Sequence, residues 1–230
     1  MDELVKDELV TDELVKDERP ASAPKYPVNL DVDGVACLVV GGGEVAARKV
    51  AGLLGCGAAV TVVAPDAVAE LREDPRVRWH RRGYRRGEVA SYRLAISATG
   101  DPDVDAQVSN DARAVGVPVN VADVPALCTF TLPSVLRRGD LQIAVSSAGR
   151  SPAFASWVRN RIEANLPAHL VDVLELLAET RRGMLAAGRP TEHRGWFIAL
   201  DGGLVDLVAE GRTADARSLL REALELEEAS

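Results

Sequence analysis

Two groups of residues in this sequence have the types and spacing to do chemistry together. The first is Gly41-Gly42-Gly43-Glu44-Val45-Ala46, which fits G-x-G-x-x-A directly after an apolar run and directly before a segment of helical spacing. Gly41 permits a tight turn there, Gly43 lets backbone approach a pyrophosphate at a helix N-terminus, and Ala46 allows close helix–strand packing. Such a motif carries weight inside a strand–helix–strand unit of about 30 residues, which this stretch supplies. The second group is Asn120-Val121-Ala122-Asp123, at the C-terminal end of a later strand-like run. Open α/β sheets bind ligands at that edge. Asp123 is therefore a carboxylate aimed towards the reacting end of a cofactor, or equally a cap for the next turn.

The acidic residue that grips a ribose normally follows about 20 positions on. Position 63 is Val and the nearest acid is Asp66, with no arginine beside it to hold a 2′-phosphate, so NAD is favoured over NADP. A Tyr-x-x-x-Lys pair is absent, because Tyr92 is followed four places on by Ile96. Neither does a histidine stand at a strand end beside the cofactor.

These residues require a scaffold, and the patterning provides it. Ala36–Val40, Ala59–Val63, Val77–His80, Leu94–Ala98 and Pro118–Val121 read as strands, while Glu44–Leu54 and Pro102–Val115 read as helices. Strands alternating with helices imply an α/β fold, a Rossmann-like doubly wound parallel sheet. After Asp123 the rhythm breaks. Thr129–Leu132 and Leu141–Val145 are strand-like and flank the polar turn Arg137-Arg138-Gly139-Asp140. Helical spacing returns at 152–165, 168–187 and 213–228. The expected domains are an acidic tail and linker over 1–25, an NAD-binding domain over 26–125, a dimerisation segment over 126–150 and a helical domain over 151–230.

Composition narrows the setting. The 230 residues are 47% hydrophobic and 27% charged, with 4% aromatics, so the core must be built from Val, Leu and Ala. A net charge of −8 gives no general field for holding nucleic acid. Cys37, Cys56 and Cys128 are widely spaced, and three scattered histidines offer no metal site, which suits a reduced cytoplasmic protein. No apolar run approaches the roughly 18 residues of a membrane helix. Residues 1–19 repeat a five-residue Asp-Glu-Leu-Val unit with eight acids against three bases. Five residues advance a helix by about 140°, so Leu4, Leu9 and Leu14 cannot share a face. A solvated extension is the favoured reading, with a weak helix or a partner-binding tail as alternatives.

At the level of motifs the sequence resembles the siroheme synthase N-terminal family, precorrin-2 dehydrogenases of which some are also sirohydrochlorin ferrochelatases. The resemblance runs through residues 39–49, Val62-Val63-Ala64-Pro65, Ala98-Thr99-Gly100-Asp101, Asn120-Val121-Ala122-Asp123, Phe130-Thr131-Leu132-Pro133-Ser134 and residues 144–152. It implies NAD as cofactor, with Gly41, Gly43, Glu44, Val45, Pro65, Asp66 and Thr99 around it. The catalytic aspartate of the family falls on Asp123, and a serine that can be phosphorylated falls on Ser147. Asn120, Ser147, Arg150 and Arg159 would face a precorrin-2 substrate. A homodimer is implied, with ferrous iron as the second substrate of any chelatase step.

Two departures fall on the substrate side. The usual Ser-Ser-Gly-Gly-Thr-Ser-Pro is here Ser-Ser-Ala-Gly-Arg-Ser-Pro, and Ser156 replaces an arginine common in the following helix. A many-carboxylate macrocycle calls for arginines, and Arg137, Arg138, Arg150 and Arg159 lie in that region. The denser basic run 72–86 reads instead as a solvated face. Burial of Asp123 would move its pKa towards working pH, as a general base requires. The alternative function is a non-catalytic NAD-sensing module whose helical tail binds a partner. The tetrapyrrole-family motifs over 129–152 argue against it.

Overall fold

The computed structural model describes residues 25–226; the acidic repeat lies outside them. The chain divides into residues 1–30 and 31–230, and of the first unit only the irregular segment 25–30 is described. Within the second, five parallel strands form a sheet in the order β3-β2-β1-β4-β5. They are β1 (Ala36–Val40), β2 (Ala59–Ala64), β3 (Arg78–Arg81), β4 (Leu94–Ser97) and β5 (Val119–Val121). Helices α1 (Glu44–Leu54), α2 (Ala69–Arg72) and α3 (Pro102–Ala114) connect them.

Parallel strands covered on both faces read as unbroken apolar runs, and the central strand Ala-Cys-Leu-Val-Val is such a run. Cys37 and Val39 join a core with Ala46 and Val50 of α1. Leu38 and Val40 turn to the other face and pack with Val108 and Ala112 of α3. That alternation is the two-residue period of a strand. Asp101 starts α3 by accepting hydrogen bonds from the Asp103 and Val104 amides, with Pro102 in the first turn.

The segment after β5 differs from the sequence expectation. Thr129–Leu132 is not a strand; the strand is β6 (Ser134–Arg138), paired antiparallel with β7 (Leu141–Val145). Pro133 has no amide hydrogen to extend the ladder. The residues before it are held beside β5 instead: the Val119 amide donates to the Thr129 hydroxyl at 2.8 Å, and Asn120 Nδ2 donates to the Phe130 carbonyl at 3.0 Å. The turn is only Gly139-Asp140, with Gly139 at φ 55°. Arg137 and Arg138 lie within β6.

Helix α4 (Pro152–Asn165) packs on this ribbon, capped at its start by Ser151, whose hydroxyl accepts from the Phe154 amide. At its end, Arg138 donates to the carbonyls of Glu163 and Leu166. Helices α5 (Leu170–Ala186), α6 (Gly195–Ala199), α7 (Val205–Ala209) and α8 (Thr213–Ala223) surround a third core that includes Leu176, Met184, Leu204 and Leu220. One π turn, Leu200–Leu204, joins α6 to α7 and bends at Gly203, φ 100°.

The basic run is largely an external face. Arg76 pairs with Asp74, and Arg82 pairs with Glu88 at 2.6 Å. Burial works against the charge on Glu88, but Arg82 and the Arg85 amide hold its carboxyl below the usual range.

Candidate active site

The strand order reverses between β1 and β4, and at their C-terminal ends the glycine turn meets Ala98 and Thr99. Gly41 has φ 118°, and a Cβ on it would lie 2.3 Å from the Ala98 carbonyl oxygen. Gly42 is tighter still, since its Cβ would stand 1.9 Å from the Asp66 carbonyl oxygen. Both glycines are therefore dictated by the protein itself. The motif reading misses Gly42, because it treats that position as variable. Gly43 differs: its φ of −85° suits any residue, and nothing lies within 4 Å of a Cβ built on it. The fold does not require a glycine at 43, but a ligand packed on that backbone would. No side chain caps α1, so its first amides are open beside Gly43. Together these features fit a pyrophosphate, and hence a dinucleotide.

Next to the turn is a cleft of about 310 Å³, lined among others by Val45, Ala98, Gly100, Asp105, Ala122 and Asp123. Val45 comes from the first turn of α1, at the end of the glycine motif, and Asp123 from the turn after β5, so the structure joins the two groups picked out by chemistry. Asp123 sits at φ 59°, a left-handed conformation that is rare outside glycine, asparagine and aspartate. Its side chain is exposed, which corrects the expectation of a buried base. The left-handed turn carries the carboxylate outward at the rim, away from the core of β5.

The other residues expected around the cofactor are placed as follows. Glu44 opens α1 and is exposed. Pro65 and Asp66 follow β2 as exposed residues, with the Asp66 backbone against Gly42. Arg72 approaches the Asp66 carboxylate to 3.9 Å, a cation that linear spacing does not reveal. The Thr99 hydroxyl donates to Asp105 at 2.7 Å. Asp105 is itself only 4% exposed, and sequence reasoning overlooks it. An acid at a helix's first turn reads as ordinary dipole compensation.

A second cavity of about 190 Å³ opens between the ribbon and α4, lined by residues that include Thr131, Ser134, Val145, Ser147 and Ser156. Ser147 Oγ accepts from the Ser151 amide at 3.1 Å and donates to the Ser151 carbonyl at 3.0 Å. Ala148 beside it has φ 53°.

Residues 28–134 match a family model described as "Putative NAD(P)-binding", and residues 138–165 match one described as "Sirohaem biosynthesis protein central". A siroheme synthase of Methylococcus capsulatus is 39% identical over 202 residues, 86% of this chain and 43% of that protein. The siroheme synthase of Nitrosomonas europaea is 39% identical over 205 residues, with the same two shares. A solved structure, "SirC, precorrin-2 dehydrogenase", superposes with a TM-score of 0.66 at 27% identity, covering 87% of this chain and 100% of that one. The chain thus carries an NAD(P)-binding region followed by a sirohaem-biosynthesis central region, and it is similar to siroheme synthases over most of its own length. It spans less than half the length of the curated siroheme synthases it matches.

Of the four residues that the resemblance turns towards substrate, one lines a cavity of the structure. Ser147 lines the second cavity, whereas Asn120, Arg150 and Arg159 are absent from its lining. Asn120 is 7% exposed and braces the Phe130 carbonyl. Arg159 pairs with Glu163 at 2.7 Å along α4, and its Nε is buried without a partner. Arg150 is exposed, and its amide donates to the Ser147 carbonyl at 3.0 Å.

Proposed function

We propose that the protein oxidises precorrin-2 to sirohydrochlorin with NAD, working as a homodimer. The observation that carries this reading is the cleft that Asp123 shares with Val45 of the glycine motif, in a chain similar to siroheme synthases. When bound, the dinucleotide supplies a two-electron acceptor.

The chain's own residues do the rest. Gly41, Gly42 and Gly43 bring backbone to the pyrophosphate, and Glu44 and Val45 begin the helix that faces it. Asp66 stands where a ribose diol would be gripped, and its charge disfavours a 2′-phosphate despite Arg72 nearby. Asp123 takes the proton that leaves the macrocycle as its electrons depart. Its place at the rim lets a bulky ring reach the carboxylate without entering the cleft. Arg150 supplies positive charge on the side where substrate carboxylates would lie, and Arg159 would do so by exchanging Glu163 for a substrate carboxylate.

The test is an absorbance assay of precorrin-2 oxidation with NAD, run on the wild type and on Asp123→Asn. Formation of NADH in step with sirohydrochlorin supports the reading. No turnover by a wild-type preparation that binds NAD would refute it. Adding ferrous iron at the end of the same assay reads any chelatase step.

A further inference from the structure

The carboxylate of Asp105 is placed unlike any other acid in the described fold. It is only 4% exposed, yet it lines the sheet-edge cleft. Ser97 and Thr99 hydroxyls donate to its Oδ1 at 2.6 and 2.7 Å. The Asp101 amide donates to Thr99 Oγ1 at 3.0 Å, and of the two acceptors in reach of the threonine proton Asp105 is the nearer, at 2.7 Å against 3.2 Å for the Asp101 carbonyl. Oδ2 receives no hydrogen bond from the described residues, and no Lys, Arg or His among them pairs with the carboxylate. A buried carboxylate with neutral donors on one oxygen and no counter-charge is costly unless something completes it.

Capping does not explain it, since Asp101 already caps α3. The lining of the cleft holds a second acid, Asp123, and no basic residue. What would complete Asp105 is therefore a ligand with a hydrogen-bond donor and a positive charge. An oxidised nicotinamide carries both, a cationic ring and a carboxamide N–H. The reduced ring keeps the carboxamide and loses the charge.

We propose that Asp105 is a specificity-determining residue that makes the cleft select the oxidised nicotinamide over the reduced one. Ser97 and Thr99 act as positioning residues that fix its Oδ1 and leave Oδ2 for the ligand. This inference rests on the nicotinamide reading given above. For an oxidising enzyme the consequence is release of the reduced cofactor after each turnover, because the charge that held the ring is gone.

The experiment is calorimetric titration of wild type and Asp105→Asn with NAD+, NADH and ADP-ribose, which lacks the nicotinamide. A unit charge screened as at a partly buried site changes affinity by about tenfold or more. The expected result is about a tenfold loss for NAD+ in the variant, a smaller change for NADH and none for ADP-ribose. Equal losses for all three nucleotides would assign Asp105 to the ribose or to scaffolding and overturn the proposal. Unchanged NAD+ affinity would overturn it as well. Wild-type protein that binds none of the three would instead refute the dinucleotide reading, a separate outcome. Should the Asn variant fail to fold, Asp105→Ser removes the same charge with a smaller side chain and is read on the same nucleotides.

Discussion

The cleft at the sheet edge is walled by elements whose strands are almost wholly buried, whereas the cavity at the ribbon is walled by half-exposed ones. Every residue of β4 and β5 is buried, and so are four of the five in β1. In the ribbon only Leu136 reaches that state, against α4; Val135, Leu141, Ile143 and Val145 remain partly exposed. On α4, Phe154 and Trp157 stack at 6.0 Å between ring centroids and are each 58% exposed. One copy of the chain thus completes the cofactor side and leaves the other side with uncovered apolar surface. The difference separates what this fold can do alone from what needs a second surface.

Removing the proton acceptor should have the largest effect. A general base contributes about 10²–10⁴-fold, so Asp123→Asn should lower kcat by that factor while NAD affinity stays near that of the wild type. Asparagine also tolerates the left-handed backbone, which keeps the turn intact. Near-normal precorrin-2 oxidation would show that Asp123 only shapes the loop.

The glycine turn offers a finer cut between scaffold and ligand contact. Gly43→Ala adds a methyl group where the protein has open space, so melting temperature should hold while NAD affinity drops about tenfold, a cost near 1.4 kcal/mol. Gly42→Ala meets the Asp66 carbonyl and should lower stability by about 1–3 kcal/mol. Urea melts and nucleotide titrations on the same preparations check both. Loss of stability in the Gly43 variant would mean that the fold itself, rather than a ligand, needs that glycine.

The contrast between the two sides also bears on assembly. Light scattering should report about twice the 24.5 kDa chain mass. Trp157→Glu should return the protein to a monomer that still binds NAD, because α4 lies apart from the sheet-edge cleft. A monomeric wild type would break the comparison, for then the exposed aromatic pair would need another occupant.

The sheet was legible because β1 and β2 are short apolar runs ended by Gly41 and Pro65, β4 is a third such run, and α1 and α3 keep a 3.6-residue period. Asp123 was legible for the same reason: a strand end fixes where a residue emerges. Asp105 and Gly42 were not, since what matters at both is a contact distant in sequence, with Ser97 and Thr99 in one case and Asp66 in the other. Arg72 escaped notice likewise, because it reaches Asp66 only once α2 has turned back. Thr129–Leu132 misled because it meets β5 through one backbone bond at Thr129 and through the Thr129 hydroxyl and Asn120 amide, without going on to form a ladder. The short helices α6 and α7 fall below the length at which periodicity speaks.

The smallest expected effect lies in the loop between the ribbon and α4. Ala148 holds φ 53°, a conformation that costs an L-residue about 1–2 kcal/mol. Glycine would remove that cost but lose more backbone entropy on folding, which offsets part of the gain. Ala148→Gly should therefore stabilise the protein by about 0.5–1 kcal/mol, raising Tm by roughly 1–4 °C for a chain of this size. The Ala148 amide donates to Ser146 Oγ at 3.2 Å, and a glycine keeps that bond. NAD affinity should not move, since the loop borders the second cavity and not the cleft. A lower Tm would show that the Ala148 methyl group packs against something one chain does not supply, as a partner copy across the ribbon would.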